Sequence, residues 1–176
     1  CHILAETDLN KIIESITDIQ SGIVIIDSVQ TLYSPEIESV PGSVSQIREC
    51  SYRLQQLAKH TGITIILVGH ITKEGDIAGP KLMEHIVDVV LNLEGDRQYH
   101  LRLLRCIKNR FGSTREIGIY EMKGLGLIPV QNPSEWLIPA DHIKGISGSC
   151  IALVCEGFRP FLIETQALVS TAVYGT

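Results

Sequence analysis

Two rhythms of apolar and polar residues alternate along the chain. The run Ile23-Val24-Ile25-Ile26 and the segment ITIILVGH are continuous and rich in β-branched residues, as strands inside a sheet are. Around them lie segments of helical period. DLNKIIESITDI puts Leu9, Ile12, Ile13 and Ile16 on one face, with Asp8 placed to cap the helix. SQIRECSYRLQQLAKHTG repeats the pattern with Ile47, Cys50, Leu54, Leu57 and Ala58, and Gly62 follows as its stop. HILAET opens the chain as a short predicted strand. LMEHIVDVVLNLEG reads as a short helix passing into a strand, while HLRLLRCIKN and EIGIYEM alternate more openly, as antiparallel or edge strands do. TLYSPEIESVPGSVS and TKEGDIAGPK are loops, marked by Pro, Gly and polar residues. This order predicts an α/β fold whose central strands are parallel and covered on both faces.

The rhythm breaks at VQNPSEWLIPADHIKGISGS, where Pro133, Pro139, Gly145 and Gly148 mark a domain boundary. Beyond it, CIALVCEGFRPFLIETQALVS reads as two strands about the turn EGFRP. Two strands are too few to fold alone, so this is the expected start of a truncated second domain.

Composition narrows the class without naming a function. The chain has 176 residues, 44% apolar and 20% charged, which suits one good core of a soluble protein. No apolar run is long enough to cross a bilayer, and the opening CHILAETD is not a secretory signal. A start without Met suggests a fragment or a processed chain. The five cysteines include no C-x-x-C pair, which fits a reducing cytosol and small buried residues rather than a disulfide framework or metal site. A net charge of −5 argues against a globally basic nucleic-acid binder. Arg97 to Arg115 nevertheless carries six Lys or Arg and no acid. Such a run either meets phosphate or forms a solvated strand face with basic residues at alternate positions.

Candidate chemistry gathers at the ends of the two apolar strands. In open α/β sheets, ligands collect outside the carboxyl ends of parallel strands. One strand ends on Asp27 and Ser28, the other on His70. An acid there has two readings: a helix cap, or the Walker-B carboxylate that orients magnesium on nucleotide phosphates through water. His70 is either a donor that senses a terminal phosphate or an ordinary strand-end histidine.

GIVIIDSVQTLYSPEIESVPGSVSQIRE, LVGHITKEGDIAGPKLMEHIVD, IKNRFG and GISGSC…EGFRPFLIETQALVS together resemble the RadA/Sms family of bacterial DNA-repair and recombination ATPases. The resemblance covers essentially the whole chain. It implies a RecA-like P-loop ATPase core with a central parallel sheet, its N-terminal part missing here, followed by the start of a Lon-protease-like domain. The core would span residues 1–133, a linker 134–147 and the Lon-like start 148–176. The implied ligands are ATP and Mg2+, with Zn2+ in a four-Cys module before residue 1. The implied partners are single-stranded and branched DNA, a RecA-type recombinase and further copies in a hexameric ring, in the bacterial cytoplasm with no membrane contact.

Residue by residue, the resemblance makes Asp27 the magnesium-positioning acid, with Ser28 beside it, and His70 the phosphate sensor. Lys108 and Arg110 of KNRFG would reach a neighbouring subunit's nucleotide; Arg offers phosphate a planar fork and Lys a compact charge. Two DNA loops would lie at Ser34 to Ser43 and Thr72 to Lys81. Lys73 and Lys81, together with Arg105, are the DNA-contact candidates, whereas Glu36 and Glu38 make the first loop acidic.

No G-x-x-x-x-G-K-[ST] phosphate loop occurs in the sequence, so this chain alone is expected not to hydrolyse ATP. Lys144, Ser147 and Ser149 lie in a linker-like stretch and do not make a protease dyad. The leading expectation is an ATP-driven motor that promotes branch migration. The alternatives are another RecA-like recombinase or helicase, and a scaffold that binds nucleotide without turnover.

Overall fold

The computed structural model describes residues 1–70, 79–95, 100–138 and 147–171, without the side chains of 79–81 and 136. It divides into two compact units, Cys1–Asp88 and Val89–Thr176.

In the first unit, α1 (Leu9–Ile19) begins where the Asp8 carboxylate accepts the Asn10 amide at 2.9 Å, the expected cap. The strand β1 (Ile23–Asp27) pairs in parallel with β2 (Thr64–Val68), from Ile23 opposite Thr64 to Asp27 opposite Val68. Helix α2 (Val44–Thr61) joins them as the crossover and stops at Gly62. A short helix, α3 (Gly79–Ile86), closes the unit. Leu9, Ile12 and Ile16 of α1, Ile47, Cys50 and Leu54 of α2, Ile26 of β1 and Met83 of α3 form one core, with Val24, Ile65 and Leu67 packed against it. Each such side chain contributes about 1.5–3 kcal/mol by leaving water.

The mixed α/β class and the parallel pair are as the sequence predicts. Two details differ. Among the described residues only one face of the pair is covered: Ile23 and Ile25 are each 66% exposed and Ile66 47%. Residues 2–7 form no strand, and Ile3 is 96% exposed. A lone extended segment needs a neighbour's ladder, and this one gains only the bridge between Asp8 and Tyr33, with Tyr33 N donating to Thr7 O at 2.9 Å.

The second unit is antiparallel, as its open alternation predicts. Strands β3 (Val89–Gly95), β4 (Leu101–Asn109), β5 (Ile117–Lys123) and β6 (Gly126–Pro129) lie in sequence order, with a bulge between Val90 and Leu91. The expected boundary segment supplies a short helix, α4 (Ser134–Leu137), and the EGFRP turn joins β7 (Ser149–Glu156) to β8 (Arg159–Gln166). Alternate residues of β4 and β5, Leu101, Leu103, Ile117 and Ile119, meet Leu137, Val154 and Phe161 around an apolar cavity of about 300 Å3.

The cysteines depart from the expected burial. Cys50 is fully buried and Cys106 half-buried, but Cys1, Cys150 and Cys155 are exposed. Burial pushes the Cys50 thiol up to about 11, with a further push from the Glu49 charge.

Candidate functional site

The parallel register brings two candidates to one edge. Asp27 ends β1 opposite Val68, and His70 follows Val68 by two residues, so both stand at the carboxyl ends of the pair. The Asp27–Ser28 peptide is cis. A 3-10 turn, Val29–Thr31, comes next, with Thr31 Oγ1 donating to Ser28 O at 2.8 Å. Ser28 occupies the cap position of this turn and no side chain caps it, so the helix-cap reading of Asp27 fails. Among the described residues the exposed Asp27 carboxylate makes no hydrogen bond or ion pair, whereas Ser28 beside it is buried.

That donor set fits hydrated magnesium carried by phosphate, since Mg2+ keeps several waters and takes one or two carboxylates. It does not fit a metal held by protein alone: among the described residues no three His, Cys, Asp or Glu cluster suitably.

The strand end bearing His70 is tightly packed. The Gln30 amide nitrogen donates to His70 O at 3.1 Å. A Cβ on Gly69 would stand 3.1 Å from the Met83 methyl, so a larger residue there would push that methyl aside by a few tenths of an ångström.

The loop between β1 and α2 is held from within. Gln46, fully buried on α2, accepts the Ser34 amide at 2.8 Å and donates to the carbonyls of Ser34, Ile37 and Ser39, each at 3.1 Å. Glu36 pairs with Arg53 at 3.2 Å. One acid of the first candidate DNA loop is therefore already engaged. Lys73 lies outside the described residues; Lys81 falls within α3, its side chain undescribed.

The other candidates belong to the second unit. Lys108, half-buried, sits near the end of β4 opposite Val90. Arg110 is exposed in the β4–β5 turn, where Asn109 Oδ1 accepts the Phe111 amide at 2.9 Å and Phe111 stands 80% exposed. Arg105 ion-pairs with Glu156 and, at 3.8 Å, with Glu94. The basic run is not a single alternating face. Arg102 occupies one face of β4 and Arg105 the other, toward the cavity, and the bulge puts Lys108, opposite Val90, on the Arg105 face. Arg115 lies over the Phe158 ring, 5.5 Å from its centre, and Arg97 is outside the described residues. Ser149 is a β7 residue hydrogen-bonded to Glu164, and Lys144 is also outside them.

Sequence reading passed over Gln30 and Gln46. Gln46 falls on the apolar stripe of α2, next to Ile47 and four residues before Cys50, and a polar residue on such a stripe is the available signal. Gln30 gives no signal before the 3-10 turn is known.

A parallel βαβ crossover with an uncapped acid at the strand end defines the class to which the comparisons also point. Residues 2–76 match the family model described as AAA domain. The DNA repair protein RadA of Halalkalibacterium halodurans is 52% identical over 174 residues, covering 99% of this chain and 38% of that protein. The Bacillus subtilis protein of the same name is 51% identical with the same coverage. Its Synechocystis counterpart is also 51% identical, with 34% of its length covered. The chain belongs to the RadA family of DNA repair proteins, and it spans a little over a third of the length of these relatives. A KaiC-like protein from Pyrococcus horikoshii matches in structure with a TM-score of 0.49 at 21% identity, covering 69% of this chain and 55% of that one. That likeness is too slight to carry a conclusion.

Proposed function

We propose that this chain is the C-terminal part of a RecA-like ATPase core, and that the full-length protein is a DNA-dependent ATPase of recombinational repair that promotes branch migration. The observation that carries this reading is Asp27, an exposed carboxylate with no cap role, standing beside His70 at the carboxyl edge of a parallel pair. In a chain of this family, such an acid is suited to orient a hydrated Mg2+ on ATP, with Ser28 flanking it and His70 sensing the terminal phosphate. The bare face of Ile23, Ile25 and Ile66 is consistent with more of the core packing there.

The finer assignments belong to the same proposal. The core extends to residue 133, 134–147 link it onward, and 148–176 begin a Lon-like domain. Lys108 and Arg110 contact the nucleotide of the next subunit in a hexameric ring. Lys73 and Lys81 contact DNA, as does Arg105 once its pairs with Glu94 and Glu156 give way. A four-Cys Zn2+ module lies upstream, a RecA-type recombinase is the partner, and the protein works in the cytoplasm.

The test measures magnesium-dependent ATP hydrolysis by the full-length protein and by this chain, each with and without single-stranded DNA. Turnover by the full-length protein alone, raised by DNA, is expected. Nucleotide binding without turnover favours a scaffold instead, and turnover by this chain contradicts the missing phosphate loop. Mixing parent subunits with Lys108→Ala or Arg110→Ala should reduce activity more than in proportion to the mutant fraction; proportional loss argues against contacts across the interface.

A further inference from the structure

Gln30 touches three elements at once. It sits within the 3-10 turn that follows Asp27, and its amide nitrogen donates to His70 O across 40 positions of sequence. Its backbone carbonyl oxygen lies 3.3 Å from where a Cβ on Gly42 would stand, at the far end of the loop after β1. Its amide nitrogen is 3.6 Å from the corresponding point on Gly69. The far end of the first candidate DNA loop and the strand end bearing His70 therefore pack against one residue, the first on its backbone and the second on its side chain.

The orientation of that amide is fixed. Turning it over would set Oε1 against the His70 carbonyl, oxygen to oxygen, and lose the hydrogen bond. In the orientation present, Oε1 is buried without a partner among the described residues. A buried, unpaired acceptor destabilises a fold, so a residue serving stability alone would be apolar here.

We infer that Gln30 is a positioning residue, a strut that ties the turn after Asp27 to His70 and makes the two strand ends move together. The inference rests on the nucleotide reading above for its purpose: a change at Asp27 on phosphate release is passed through Gln30 to the His70 end. Gln30 itself touches no reacting atom.

Two variants test it. Gln30→Met keeps the length and volume without a donor, and Gln30→Glu keeps the shape with acceptors only. In this chain, the backbone 15N order parameters of Gly69 and His70 should fall from about 0.85 toward 0.6 in both variants. Parental values in both overturn the strut. In the full-length protein, kcat for ATP should drop roughly tenfold while KM stays within about threefold. A residue that merely fills space would tolerate Met and show no such split, and parental kcat in both variants overturns the coupling. Asp27→Asn in the same series separates the two readings. Turnover that survives it overturns the nucleotide reading and this purpose for Gln30 together. Turnover lost in Asp27→Asn but intact in both Gln30 variants overturns the Gln30 role alone.

Discussion

The two compact units solve the burial problem differently. In Cys1–Asp88, helices pack on a parallel pair, and ten apolar residues from α1, β1, the loop after it, α2 and α3 form a single buried core. In Val89–Thr176, an antiparallel sheet is covered on the cavity side by α4 and the β7–β8 hairpin. Its buried apolar side chains among the described residues are Ile119, Pro133 and Phe161, and Leu91 and Leu93 on the opposite face are exposed. The first unit thus holds its strand ends, and the candidate site upon them, on a packed scaffold. Single side chains of the second are worth less to the fold.

The largest expected contrast comes from one truncation in each unit. Leu54→Ala removes a fully buried side chain and should cost about 2–5 kcal/mol in urea unfolding. Leu93→Ala on the exposed face should cost less than about 1 kcal/mol. Equal costs would break the comparison. Gln46→Ala leaves a buried amide and carbonyls of the 34–39 loop unpaired, for a loss of about 2–3 kcal/mol. A loss near zero would mean that the loop is not held from α2. Arg105→Ala, which removes only partly exposed ion pairs, should change stability by less than about 1 kcal/mol.

Thiol chemistry sharpens the same contrast. Cys150 and Cys155 should label rapidly in the native chain, and Cys50 only on unfolding. The Cys50 thiol is raised from 9.0 to about 11, so the unfolded chain loses this proton first as pH rises. Its contribution to stability is therefore complete below pH 9 and declines as pH climbs through about 11. A Cys50→Ala variant should lack that alkaline decline; an identical decline in both chains would assign it to other groups.

Local rules made much of the fold legible. Asp8 as a cap, Gly62 as a stop, the helical stripes and the β-branched runs each report on a few neighbouring residues, and each appears where the pattern puts it. The misreadings involve partners distant in sequence. HILAET has strand composition but no neighbour to pair with. For the basic run, spacing along the chain does not reveal which face of β4 each residue takes, and the alternating-face reading fails on Arg102 and Arg105. Three of the five cysteines are exposed: Cys1 in the N-terminal segment, and Cys150 and Cys155 on opposite faces of β7. At the site, Asp27 and His70 were visible because strand ends are. Gln30 was not, since its partner is 40 residues away and meets it only once the register of β1 and β2 is set.

The most direct measurement of the central claim is steady-state ATP hydrolysis by the full-length protein carrying Asp27→Asn. The carboxylate is exposed and has no partner among the described residues, so urea unfolding should change by less than about 0.5 kcal/mol. If Asp27 orients the magnesium of bound ATP, kcat should fall by about a hundredfold or more. Hydrolysis at the parental rate, in a variant that folds as the parent does, would contradict the account.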